Sequence, residues 1–190
     1  EQNERQIVYA KGDQKIGFST GHIFYRADLH SKSPITYKKE EAKDLIDKLL
    51  VKLGYSLSKL EWNFKDEGNG NYKFFYYETY KGNLVYNNYI EFSVRPGGID
   101  KVDIYRMKPE KYTELSRSIY APDEMLFGFM NQIRKIEDSE EILVIQRIDL
   151  GYLIGSEGPW LKEEEGIPYY RITLSDGRHF YMNAYTNEIQ

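Results

Sequence analysis

Residues 72 to 92, "YKFFYYETYKGNLVYNNYIEF", place nine aromatic rings in twenty-one positions. Two apolar-rich runs flank the polar tripeptide Lys81-Gly82-Asn83, and that pattern reads as a β-hairpin. Side chains alternate between the two faces of a strand, so the loop length decides which rings share a face. A three-residue loop sets Tyr80 against Leu84, Tyr76 against Asn88, Phe74 against Ile90 and Tyr72 against Phe92. One face is then almost wholly apolar. The other pairs Lys73 with Glu91 and Phe75 with Tyr89, and opposite charges across strands favour that register. A two-residue loop would scatter the apolar set. Most of these rings are therefore expected to be core, and Phe75, Tyr77 and Tyr89 form an outward patch available to a partner.

An apolar face needs a cover, and the sequence offers two helices. In "SPITYKKEEAKDLIDKLLVKLGY", Thr36 suits the N-cap and Glu40 and Glu41 suit the first turn. Ala42, Leu45, Ile46, Leu49, Leu50 and Leu53 recur at the helical period, and Gly54 stops the run. The second helix starts at Pro122, with Met125, Leu126, Phe129, Met130 and Ile133 as its stripe. Gly128 lies inside it, where glycine costs about 1 kcal/mol against Ala, so close packing against the sheet is expected there. After this helix come "EEILVIQRIDLGYLI" and "IPYYRITLSDGRHFYMNAY", read as strands. Ser175-Asp176-Gly177 forms a three-residue loop, which puts Tyr170, Ile172 and Leu174 on one face with Phe180 and Met182.

A helix followed by antiparallel strands thus occurs twice. The expected fold is α+β, built of two repeated units, each an amphipathic helix packed on an antiparallel β-sheet. The expected divisions are an extended N-terminal segment, 1–33, packing on the first unit, that unit at 34–107, a connector at 108–117, and the second unit at 118–190.

Chemistry is sparse. The chain has no cysteine, which excludes disulfides and thiolate sites, and a net charge of −4, which argues against a nucleic-acid partner. "GFSTG", residues 17 to 21, matches a nucleophile-elbow pattern, but a strand-like segment follows where the elbow needs a helix, so a hairpin is expected. His22 and His30 lie about 26 Å apart along a strand, too far to share a metal, and surface histidines are expected. No catalytic, cofactor-binding or metal-binding residue is assigned. Trp160 and Leu161, on the loop "GSEGPWLKEEEG", are the second candidate for a partner interface.

The helix "ITYKKEEAKDLIDKLLVKLGY" with "YYETYKGNLVYNNYIEFSV" resembles the PepSY-like α+β modules of extracytoplasmic bacterial proteins. The run "LGYLIGSEGPWLKEEEGIPYYRITLSDGRHFYMNAYTNEI" is similar to the C-terminal end of the YycI family, accessory regulators of the YycG (WalK) sensor histidine kinase. Tyrosine-rich strands ending in an asparagine-alanine-tyrosine turn, here Asn183-Ala184-Tyr185, carry the likeness. It covers most of 34 to 190. It departs from the family at the front, where YycI has an N-terminal transmembrane helix. The sequence opens "EQNERQ", and an anchor is expected upstream.

The resemblance implies a non-enzymatic extracytoplasmic regulatory domain, held at the cell membrane of a Gram-positive bacterium. It would act with a YycH-like partner protein to modulate the sensor histidine kinase through protein contacts, with no cofactor. A homodimer stays open. Two other readings stay open as well: a PepSY-type protease inhibitor or propeptide-like module, using the "GSEGPWLKEEEG" loop, and a small hydrolase.

Overall fold

The computed structural model describes residues 6–19, 21–29, 35–107, 111–113, 117–136, 142–154 and 165–190. In chain order the elements are β1 (Ile7–Lys11), β2 (Gln14–Ser19), β3 (His22–Ala27), α1 (Lys39–Lys52) and a short 3-10 turn (Leu57–Lys59). β4 (Leu60–Gly68), β5 (Asn71–Tyr80), β6 (Asn83–Arg95) and β7 (Gly98–Tyr105) follow. Last come α2 (Pro122–Ile136), β8 (Ile145–Ile154), β9 (Gly166–Leu174) and β10 (His179–Asn183).

The expected pair of repeated helix-on-sheet units is wrong. All ten strands belong to one mixed sheet, ordered β1-β2-β3-β7-β6-β8-β9-β10, with β5 joined to β6 and β4 to β5. Strand takes 52% of the described residues and helix, the 3-10 turn included, 20%. The chain does divide into two compact units, but unequally. The first holds residues 1–80 and 87–108; the second holds 81–86 and 109–190. Six whole strands and most of β6 fall in the first unit, and only three whole strands with the head of β6 in the second. That head meets β8 in parallel, Leu84 opposite Gly151 and Val85 opposite Tyr152. A Cβ on Gly151 would lie 2.8 Å from the Leu84 carbonyl oxygen, so glycine is what lets these two backbones approach.

In the first unit, α1 buries Ala42, Ile46 and Leu50 against Phe74, Tyr76, Ile90, Phe92, Val94 and Val102. Spacing of four residues puts the three helix positions on one stripe. Lys38 rather than Thr36 is the N-cap; its backbone N–H donates to the Glu41 carboxylate, 2.9 Å away. Leu53, expected in the stripe, is 52% exposed. The β5–β6 turn is Lys81-Gly82, one residue shorter than expected, with both residues at positive φ as a tight type I′ turn requires. The even-numbered apolar set nevertheless stays on one face.

In the second unit, α2 buries Met125, Phe129 and Ile133 against Tyr170, Ile172, Leu174 and Met182. Met130, expected in that stripe, is exposed. The Ser175-Asp176-Gly177 loop forms as read, Gly177 at φ 87°, with Met182 opposite Tyr170 and Phe180 opposite Ile172. Gly128 has a different reason from the one expected. It packs against Asn187 of the C-terminal turn rather than the sheet.

Candidate functional site: the outward face of the first unit

Residues of the first unit's strands that alternate with the core positions point away from α1. β3 supplies His22, Phe24 and Arg26; β7 supplies Lys101, Asp103 and Tyr105; β6 supplies Tyr89 and Glu91; β5 supplies Phe75 and Tyr77. The registers align them, with His22 opposite Tyr105, which is in turn opposite Tyr89.

A ladder of rings crosses four strands here. Tyr77 to Tyr89 is 6.1 Å between centroids, Tyr89 to Tyr105 is 4.7 Å and Tyr105 to His22 is 4.3 Å. The last two contacts are stacked, and His22 reaches Phe24 at 5.9 Å. Beside the ladder lies an ion cluster around Asp103, whose side chain is 3% exposed. Its carboxylate accepts from Arg26 at 2.7 Å and meets His22 Nε2 at 2.9 Å and Lys101 Nζ at 3.0 Å. Lys101 also reaches Glu91 at 3.1 Å. Burial alone would push the Asp103 carboxyl up, but the donors from Arg26, Lys101 and His22 outweigh it and hold its pKa below the ordinary value. Burial lowers Lys101, yet its bonds to Asp103 and Glu91 prevail and raise it.

The second unit carries a cluster of similar kind. Asp149 accepts from Arg147 at 2.6 Å and from the buried Arg171 at 3.0 Å. Arg171 lies 5.0 Å over the Tyr86 ring, and the Tyr86 hydroxyl donates to the Asp149 carbonyl at 2.9 Å.

Of the expected interface residues, Phe75, Tyr77 and Tyr89 do share this outward face. Phe75 and Tyr89 are half-buried, and Tyr77 is buried. Trp160, Leu161 and the rest of "GSEGPWLKEE" lie outside the described residues, as does His30. "GFSTG" runs from strand β2 toward strand β3, as expected of a hairpin, and Ser19 faces His22 across it. His22 is not the bare surface histidine expected, because it is tied to Asp103. That contact was not legible: β3 and β7 are about eighty residues apart in sequence, and no local pattern pairs them.

A second surface was missed. On β1, β2 and β3 the face continuous with the α1 side carries Ile7, Tyr9, Ile16, Phe18 and Ile23. All are exposed, from 36% at Phe18 to 63% at Tyr9. Among the described residues, α1's buried core partners lie on β5, β6 and β7, and these five side chains stay exposed.

Buried phenols give the molecule an alkaline limit. Burial raises the pKa of Tyr76, Tyr86 and Tyr89; for Tyr76 its hydrogen bond to Asp47 adds to the rise. A raised phenol holds its proton in the folded state, so its stabilisation is complete below the unfolded value near pH 10 and lost as pH rises above it. Ultraviolet titration should show these tyrosines ionising only together with unfolding; smooth ionisation of every tyrosine near pH 10 with the fold intact would contradict this.

No family model and no curated protein matches the chain. Solved structures do. An uncharacterized protein from Eubacterium rectale superposes with a TM-score of 0.60 at 14% identity, covering 100% of this chain and 77% of that one. The YpeB C-terminal domain of Bacillus megaterium gives 0.54 at 12% identity, covering 100% and 88%. At these identities the likeness is one of fold. It supports the PepSY-like part of the resemblance. Among the described residues, no helix is long and apolar enough to cross a membrane.

Proposed function

We propose that this chain is a non-catalytic extracytoplasmic domain of a membrane-anchored accessory protein. It works by protein contact, together with a YycH-like partner, to bias a sensor histidine kinase between states. A partner that binds one kinase state more tightly shifts the populations by that difference in affinity.

The observation that carries the reading is how the internal polar groups are spent. Asp103 is held by Arg26, Lys101 and His22, and Asp149 by two arginines. A general acid or base needs a proton it can exchange with substrate and a pKa near the working pH. Groups locked in mutual ion pairs supply rigidity instead. The groove of about 400 Å³ along α1 follows the same rule. Of its lining residues, Glu41 already caps Lys38 and Asp44 pairs with Lys48. The kinase and the YycH-like partner come from the sequence resemblance. The fold likeness to the YpeB domain is compatible with a non-catalytic domain.

Co-purification from membranes with the kinase and the YycH-like protein tests it. Phe75→Ala and Tyr89→Ala should each reduce retention about tenfold, the loss expected of a contact hot spot. Glu40→Ala, on the exposed side of α1, should leave it unchanged. Tyr77 is a poor probe because it is buried. If the unsubstituted protein retains neither partner, the reading fails; if it retains them and both variants bind normally, the aromatic face is not the contact.

A further inference from the structure

Two hairpins close on a two-residue turn that ends in glycine. β5 and β6 join through Lys81-Gly82, and β4 and β5 through Asn69-Gly70, with all four residues at positive φ. That is the backbone of a type I′ turn. Lys81 fills the first position of one turn, so the geometry does not demand an amide at Asn69. Asn69-Gly70 is the one Asn-Gly pair in the sequence. The amide carbon of an asparagine can be attacked by the backbone nitrogen of the next residue, which is one reason asparagine is thermolabile. Glycine lowers the barrier, because no Cβ crowds its nitrogen. The attack also needs a free amide side chain, a free N–H after it, and access for water.

Asn69 meets these conditions. It is exposed, and among the described residues its side chain has no hydrogen-bond partner. Among the same residues the Gly70 N–H has no acceptor. The neighbours are tied instead: the Gly68 N–H donates to Asp66 Oδ1 at 2.8 Å, and the Asn71 side chain to the Gly68 carbonyl at 2.8 Å. Elsewhere Asn88, Asn183 and Asn187 spend their side chains on hydrogen bonds. The comparable acidic pair, Asp176-Gly177, is occupied as well. The Asp176 carboxylate accepts from the Arg178 N–H at 2.9 Å and from Arg178 Nε at 2.6 Å. These bonds, the backbone one foremost, hold its carboxyl below the usual range and keep it an anion, a poor target for such an attack.

We infer that Asn69 is a modification site, at which the chain deamidates itself with water as co-reactant. The Gly70 nitrogen bonds to the Asn69 Cγ and gives up its proton, and the Cγ–Nδ2 bond breaks to release ammonia. Water then opens the cyclic imide, with no oxidation or reduction. Cleavage of the new Cγ–N bond leaves aspartate. Cleavage of the original peptide bond leaves isoaspartate, whose main chain runs through Cβ and is one atom longer. The two products differ in what they do to the fold. Aspartate tolerates positive φ and adds only a charge. Isoaspartate does not fit, because a type I′ turn closes on two residues of normal length. The turn is also confined on one side: a Cβ at Gly70 would stand 2.3 Å from Thr36 Cγ2. Among the described residues β4 pairs with β5 alone, so a misfitted turn loosens Trp62 and Phe64 from the Phe74 ring, which they meet at 6.3 and 6.0 Å.

The chain is incubated folded at mildly alkaline pH, digested with trypsin and mapped by mass spectrometry, with an unincubated sample as reference. The peptide "DEGNGNYK", residues 66 to 73, should lose ammonia and gain water at Asn69 before Asn71 or any other asparagine changes. It should resolve into aspartate and isoaspartate forms. The deamidated chain, separated from the parent by its charge, should unfold at lower urea in proportion to its isoaspartate content. Asn69→Asp carries the same charge without the longer main chain, and it should unfold at the parent's midpoint. An intact Asn69 after other asparagines or Asp176 have reacted would overturn the site. An isoaspartate form as stable as the parent would overturn the loosened hairpin. Neither measurement involves the kinase or its partner.

Discussion

Asp103→Asn should cost the first unit about 2–3 kcal/mol at neutral pH, read by chemical denaturation. Asn keeps the size of the side chain and loses its charge. Removing one member of a buried ion pair typically costs about 3–5 kcal/mol, since the remaining charge is stranded. Here the stranded groups are partly wet: the Arg26 side chain is 41% exposed and that of Lys101 is 35% exposed. They recover some hydration, which lowers the expected loss. The same carboxylate sets an acid limit. Its folded-state pKa lies below the unfolded one, so near pH 4 the folded chain binds fewer protons than the unfolded chain. The stabilisation is fully present above about pH 4 and drains away as pH falls through the folded value. The Asn variant should lose that part of the acid dependence. A change below about 0.5 kcal/mol, with the acid limb untouched, would reduce the cluster to ordinary surface electrostatics.

What sequence patterning revealed here is whatever a single element fixes for itself. Ala42, Ile46 and Leu50 announce a helix stripe because their spacing matches the helical period. Phe74 with Tyr76, and Ile90 with Phe92, each announce a buried face because parity groups residues within one strand; that the two sets meet was inferred from a three-residue loop, and they share one core although the turn has two residues. Ser175-Asp176-Gly177 announces its loop because Gly177 must be left-handed. Failures arose where two distant elements decide. The apparent repeat, helix then strands twice over, ignored that β6 is thirteen residues long and that its head meets β8. A strand of that length, well above the usual five or six, was the available clue. The Asp103 cluster needed β3 to lie beside β7. The candidate aromatic face was half legible: parity gathered Phe75, Tyr77 and Tyr89, but only the tertiary structure supplied Tyr105 and His22 to stack on them.

Gly128→Ala in α2 should destabilise the second unit by about 1–3 kcal/mol, the range for overpacking, although alanine is the better helix former. An added Cβ would stand 2.3 Å from Asn187 Oδ1 and 2.5 Å from its Cγ and Nδ2, so that amide would have to move. Asn187 cannot simply swing away. Its Nδ2 donates to the Glu124 carbonyl, its backbone N–H to Asn183, and its carbonyl accepts from Gln132, whose own Oε1 takes the Ile189 N–H. Displacing the amide therefore breaks its bond to Glu124 on α2, while the backbone bonds hold Asn187 itself in place. The backbone of Asn187 is left-handed, at φ 60°, so Asn187→Gly removes the obstructing group without strain. In that background Gly128→Ala should change sign and stabilise, by up to about 1 kcal/mol from helix propensity alone. Such a reversal is a coupling energy that independent sites cannot produce. Equal effects of Gly128→Ala in both backgrounds would show that the close approach to Asn187 is not why this helix carries a glycine.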